Sequence, residues 1–155
     1  MIGAQLPANF HVPLFHSSLG EDAVNLARLA GLELDEWQQH VVKASLNFDK
    51  WGSFTSKDVC LIVPRQNGKG GVLEARELAG LFLCGEKLIG HSAHETRTAR
   101  EAYRRLAGLI QSVPELHEQV MAYRNSPSQT DIELFDGRRI IFATRTAGTF
   151  RGLIS

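Results

Sequence analysis

Lys69 is the residue around which chemistry can be built. It stands in the run Arg65-Gln66-Asn67-Gly68-Lys69-Gly70-Gly71, a basic side chain with a glycine on either side. Phosphate recognition asks for this combination. Glycines let backbone N–H groups face an anion, the start of a helix adds the positive end of its dipole, and a lysine adds a mobile charge. The N–H groups of Gly68, Lys69, Gly70 and Gly71 are therefore the candidate cradle. The match to G-x-x-x-x-G-K-[ST] is partial. Val63 occupies the place of the first glycine, and Gly70 the place of the hydroxyl that would ligate Mg²⁺. A tight turn with a solvated lysine is the plainer alternative.

Other reactive side chains offer less. His91 and His94 have no third ligand nearby, so no protein-built zinc site is expected. Cys60 lies in an apolar run and Cys84 at the end of an expected helix. Their spacing fits no zinc pattern, and both read as reduced, mostly buried thiols. Arg97, Arg100, Arg104 and Arg105 share one helix with Glu101, which reads as a solvated face.

The elements that must position Lys69 come next. Residues 1–17 are irregular, broken by Pro7 and Pro13. Ser18 and Glu21 have capping-box spacing before a short helix carrying Val24, Leu26, Ala27, Leu29 and Ala30, which Gly31 can stop. Asp35 reads as a second N-cap. The helix behind it, Glu36 to about Leu46, puts Trp37, Val41 and Ala44 or Ser45 along one side. Asp58 to Val63 has five consecutive apolar positions, which suits a strand buried on both faces of a parallel sheet and ended by Pro64. Val72 to Leu83 reads as a helix capped by Gly85, Leu88 to Gly90 as a short strand, and Glu95 to about Ile110 as a strong helix. A third helix is expected over residues 115–124. Asp136-Gly137 between Thr130–Phe135 and Arg138–Thr144 is a hairpin signal. This order argues an α/β fold with a partly parallel sheet and an antiparallel hairpin.

Composition sets the limits. The 155 residues suit one domain or part of a larger one, and 43% hydrophobic content predicts a buried core. Lys+Arg and Asp+Glu are both 17, which argues against a strongly basic DNA-coating protein but leaves room for a small contact patch. No apolar run is long enough to span a bilayer. The opening MIGAQLPANFHVPLF has no basic n-region and no sustained apolar stretch, so it does not read as a signal peptide.

The run Val63-Pro64-Arg65-Gln66-Asn67-Gly68-Lys69-Gly70 resembles the variant Walker A loop of tailed-phage terminase large subunits. That loop commonly replaces the first glycine and carries an arginine shortly before Gly-Lys. Leu34-Asp35-Glu36-Trp37-Gln38 is similar to the family's upstream Trp-Gln adenine motif. His91-Ser92-Ala93-His94-Glu95 resembles the segment after its second strand, and the hairpin followed by Thr149-Phe150-Arg151-Gly152 resembles the stretch before Walker B. The resemblance covers about residues 34–153. It implies a P-loop NTPase fold of the RecA/ASCE kind, here an incomplete N-terminal portion of the ATPase domain with a β-hairpin. Residues 1–50 would be a helical lead-in with the adenine-side motif, and residues 51–155 the first half of the ATPase core. No hydrophobic strand ends in Asp-Glu, so the sequence reads as a fragment stopping short of Walker B.

The resemblance further implies ATP with Mg²⁺ as ligands. Lys69 would bridge the β- and γ-phosphates, with Gln66, Asn67, Gly68, Gly70 and Gly71 around them. Arg65 would approach the γ-phosphate from the same subunit, and Arg151 would serve a neighbouring subunit as an arginine finger. Trp37 and Gln38 would flank adenine. The plain alternatives are a core tryptophan, an exposed helix glutamine, a surface arginine and a chain-end arginine. The expected function is the ATPase motor of double-stranded DNA packaging into the capsid, in a protein that also cuts DNA. Its partners would be double-stranded DNA, the portal protein, the small terminase subunit and further copies in a homo-oligomeric ring, with no membrane. Its location would be the host cytoplasm, transiently at the procapsid portal. This stretch alone is expected to be inactive in hydrolysis. A helicase-like P-loop ATPase and a non-catalytic interaction module with a degenerate loop are the alternatives.

Overall fold

Where a helix can start and what it can bury decide the first part of the chain. The structure, a computed structural model, describes residues 4–64 and 66–145. It falls into two compact units, Met1–Ala79 and Gly80–Ser155. In the first, strand β1 (Ser17–Ser18) leads into helix α1 (Gly20–Leu29), followed by helix α2 (Glu36–Ser45) and strand β2 (Asn47–Phe48). β1 and β2 pair antiparallel. α1 lies against α2 because Gly20 carries no side chain: a Cβ there would sit 2.4 Å from Lys43 Cα. Ala23, Val24 and Ala27 fill one side of the contact and Val42 and Leu46 the other, all buried. Glu21 and Lys43 close its rim at 2.6 Å.

The caps are only partly as expected. Gly31 does end α1 in the left-handed region, at φ 84°, and Asp35 does cap α2, in a reciprocal box with Gln38. Ser18 and Glu21 form no such box. Ser18 pairs with Asn47 in the ladder, so α1 starts after Leu19, and the Ser18 hydroxyl accepts only the Gly20 N–H at 3.0 Å.

The expected strand over residues 58–63 is not formed. The segment belongs to no ladder among the described residues, Val59 and Ile62 are exposed, and so is Cys60, which corrects its reading as a buried thiol. Apolar composition on both faces satisfies the pattern of a buried parallel strand, but such a strand also needs a neighbour on each side. Helix α3 (Lys69–Phe82) follows and begins three residues before the expected Val72. Val72, Ala75, Leu78 and Ala79 are buried on it.

The second unit holds a four-stranded mixed sheet. Its elements are strand β3 (Leu88–Ala93), helix α4 (Thr96–Gln111), the single-turn helix α5 (Pro114–His117) and strands β4 (Val120–Asn125), β5 (Thr130–Leu134) and β6 (Arg139–Thr144). The order is β3-β6-β5-β4, with β3 parallel to β6 and the other pairs antiparallel. The architecture is α/β with a partly parallel sheet, as the element order argued. α4 covers one face through Ala99, Tyr103, Leu106 and Ile110, and the Tyr103 ring meets Phe142 edge-on at 5.6 Å. Its arginines stand on the far side, where Arg104 pairs with Glu101 at 3.7 Å. The hairpin turns at Gly137, φ 88°, as Asp-Gly predicts. The Arg138 backbone N–H, and its guanidinium after it, hold the Asp136 carboxyl below its usual pKa. Among the described residues no helix is long and apolar enough to cross a membrane.

The helix expected over residues 115–124 is corrected to one turn and a strand. Pro114 starts the turn, but Arg124 finds partners only across a ladder. Its guanidinium reaches Asp131 at 3.1 Å and Glu133 at 2.7 Å. Asp131 is fully buried and accepts a further bond from Gln129 at 2.9 Å. Burial also pushes the Tyr123 hydroxyl up to about 12, helped by Tyr103. Taking the cation from a buried carboxylate strands its charge, whereas losing one half-exposed acceptor does not. Arg124→Met should therefore lower the unfolding free energy clearly more than Glu133→Gln does. Urea denaturation of both variants checks this, and equal losses would show that Asp131 does not depend on the guanidinium.

Candidate functional site

The loop before α3 is shaped by two residues with positive φ, Gln66 at 58° and Gly68 at 75°. Lys69, the next residue, is already helical. A left-handed residue followed by a right-handed one turns successive N–H groups to the same side, the backbone arrangement of an anion nest. The first N–H groups of a helix have no acceptor within it. Here Gly71 donates back to the Gly68 carbonyl at 3.1 Å, so Lys69 and Gly70 carry the N–H groups that lead the helix. The Lys69 ammonium bends over the loop, donating to the carbonyls of Pro64 at 3.3 Å and Val63 at 3.5 Å. Its side chain is exposed.

Gln38 fixes this loop. The residue is buried, at 7% exposure, which corrects its reading as an exposed helix glutamine. Its Oε1 accepts the Asp35 N–H at 2.7 Å, and its Nε2 donates to the Gly68 carbonyl at 2.7 Å. The approach is close enough to exclude side chains: a Cβ on Gly68 would sit 2.8 Å from Gln38 Nε2, and one on Gly71 would sit 3.2 Å away. Gly71 also faces Leu34, whose Cδ2 would lie 3.4 Å from such a Cβ. Gly68 is favoured on two grounds, its left-handed backbone and its close approach to Gln38, and at Gly71 a side chain would have to push Gln38 or Leu34 aside by a few tenths of an ångström.

Trp37 is half-buried and lines a cleft of about 1020 Å³ with Val41 and Ala44, the side of α2 expected to be apolar. Residues 4–12 and 58–64 with Asp35, Ser56 and Asn67 complete the walls. The Phe10 ring packs on His40 at 4.2 Å. The volume is that of a small-molecule site. The structure therefore brings Trp37, Gln38, Gln66, Asn67, Gly68, Lys69, Gly70 and Gly71 together in one unit. Arg65 and Arg151 lie outside the described residues. Sequence reasoning missed the carbonyls of Val63 and Pro64 as lysine acceptors and the N-terminal segment as a cleft wall. One signal was present: Asp35-x-x-Gln38 has capping-box spacing, which would have turned the carboxamide back toward the chain.

Among the described residues no three His, Cys, Asp or Glu side chains stand together as a metal site. Gly70 has no oxygen in its side chain, so the residues at the loop do not fit a protein-ligated Mg²⁺. No family model, no curated protein and no solved structure matches the chain.

The contact between Gln38 and Gly68 is measurable. Gly68→Ala should cost ~1–2 kcal/mol for its left-handed backbone alone, and more because the methyl meets Gln38. Gln38→Ala should cost ~1–3 kcal/mol in lost hydrogen bonds. The double variant should fall short of the sum by at least ~0.5 kcal/mol, because removing the carboxamide frees the space. Thermal or urea unfolding of the four proteins gives the cycle, and strict additivity would break the link between helix and loop.

Proposed function

We propose that the chain is a nucleotide-binding unit of the P-loop NTPase kind, and that it serves as the opening part of the ATPase motor of a tailed-phage terminase large subunit. One observation carries the reading: the Gly68–Lys69 turn at the start of α3, with the Lys69 ammonium at its mouth and the Trp37 cleft beside it. Orphan N–H groups, the helix dipole and a mobile ammonium together favour a polyphosphate over a single carboxylate. The N–H groups of Lys69 and Gly70 would hold phosphate oxygens. Lys69 would exchange two backbone carbonyls for phosphate, a stronger, charge-assisted partner. Trp37 would cover an adenine ring in the cleft. When bound, ATP supplies the phosphoanhydride whose hydrolysis drives a motor.

Gln38 takes a different part in this proposal from direct base reading. Each end of its carboxamide already has a partner, so it acts as the brace that holds the phosphate loop against α2. Arg65 and Arg151 keep their proposed roles as cis and trans charge-stabilising arginines. Double-stranded DNA, portal protein, small subunit and ring assembly belong to the same proposal.

Calorimetric titration of the 155-residue chain with ADP and with adenosine tests it. The diphosphate should bind and adenosine should bind far more weakly. Lys69→Ala should weaken ADP at least tenfold, the loss of one charged hydrogen bond of ~1.5–3 kcal/mol. Equal affinity for ADP and adenosine, or indifference to Lys69→Ala, would leave the loop as a structural turn.

A further inference from the structure

A second cavity in the first unit shares Ser56 and Val59 with the Trp37 cleft, and Lys69 does not line it. It measures about 520 Å³ and is lined by Ser45, Ser53, Ser56, Phe54, Lys57 and Arg76, with an edge from Val59. Among the described residues it presents two cations and three serines, of which Ser45 donates its hydroxyl to the Val42 carbonyl at 2.8 Å, and no carboxylate lines it. Arg76 lies seven residues beyond Lys69 on α3, about 10 Å further along the axis. Its guanidinium sits over the Phe54 ring at 5.2 Å. A chain with no net charge has gathered positive groups and hydroxyls around one hollow, which is the chemistry of a phosphate or phosphodiester site.

The loop that supplies Ser53 and Phe54 also carries an exposed aromatic ring. Trp51 is 78% exposed, and Lys50 Nζ stands 4.4 Å above its centroid. The loop beneath is tightly tied. Asp49 accepts the N–H groups of Trp51 at 2.8 Å and Ser53 at 3.0 Å, while Asp49 N–H donates to Ser53 O and Gly52 N–H to Asp49 O. The one acidic group of the loop is thereby turned onto backbone. Phe48 and Phe54 pack at 4.7 Å below. An indole held outward on a braced loop loses little freedom on contact.

We infer that this surface binds a single strand of nucleic acid, one backbone phosphate in the Ser45/Ser53/Ser56/Lys57/Arg76 hollow and an unpaired base on Trp51. Cationic grooves joined to exposed aromatic platforms recognise single strands because every base has a face to stack, whereas a duplex hides its faces. The inference does not rest on nucleotide binding at Lys69.

The test is fluorescence anisotropy of a labelled 15-nucleotide thymidine oligomer with the 155-residue chain at low salt. It should bind and quench tryptophan emission. Trp51→Ala and Lys57→Glu, both exposed positions that leave the core intact, should each weaken binding on the order of tenfold. Lys57→Glu should also flatten the salt dependence by about one unit of slope. Arg104→Glu, the same change of net charge at an exposed position of α4, should weaken binding less than Lys57→Glu does. A duplex of equal length should bind more weakly. No binding, equal losses in Arg104→Glu and Lys57→Glu, indifference to Trp51→Ala, or duplex binding as tight as the single strand would each overturn the inference.

Discussion

The first unit depends on one carboxamide. Gln38 is buried, and a buried amide must find partners at both ends or cost the fold its desolvation. It finds one at Asp35, at the start of its own helix, and the other at Gly68, 30 residues after Gln38 along the chain. Its oxygen completes the cap of α2, and its nitrogen holds the Gly68 carbonyl. Gly68 is left-handed and close against it, Gly71 packs beside it, and α3 starts at Lys69. The lysine is where it is because a glutamine on another helix decides where the loop ends.

Local signals were legible in the sequence and pairings were not. Gly31, Asp35 and Asp136-Gly137 act within a few residues of themselves, so their chemistry can be read from the chain and recurs in the fold. The apolar face of α4 was legible for the same reason, since helical periodicity needs no partner to be seen. Residues 58–63 and 120–124 show the limit. The first reads as a strand and has no ladder among the described residues; the second reads as helix and becomes a strand because Arg124 meets Asp131 and Glu133. At the candidate site the glycines and lysine were visible as types. The brace was not, because nothing near Gln38 says that a distant loop will cover it.

The even charge balance of the chain conceals an uneven arrangement. In the second unit a guanidinium and two carboxylates consume one another across a ladder. In the first unit Lys57 and Lys69 are exposed, and Asp49 spends its carboxylate on backbone N–H groups. By residue the first unit holds seven Lys and Arg against nine Asp and Glu, and the second ten against eight, so total charge says little about what each part attracts.

The exposed run from Val59 to Val63 has a consequence for the protein in bulk. It is short, apolar, uncharged and free of proline, the composition from which chains stack into intermolecular β-structure as concentration rises. Its borders oppose this. Lys57-Asp58 on one side and Pro64 on the other act as gatekeepers, since charge repels a second chain in register and proline withholds the next hydrogen bond. Near pH 7, where the sequence carries no net charge and overall repulsion is weakest, these flanking residues oppose such stacking.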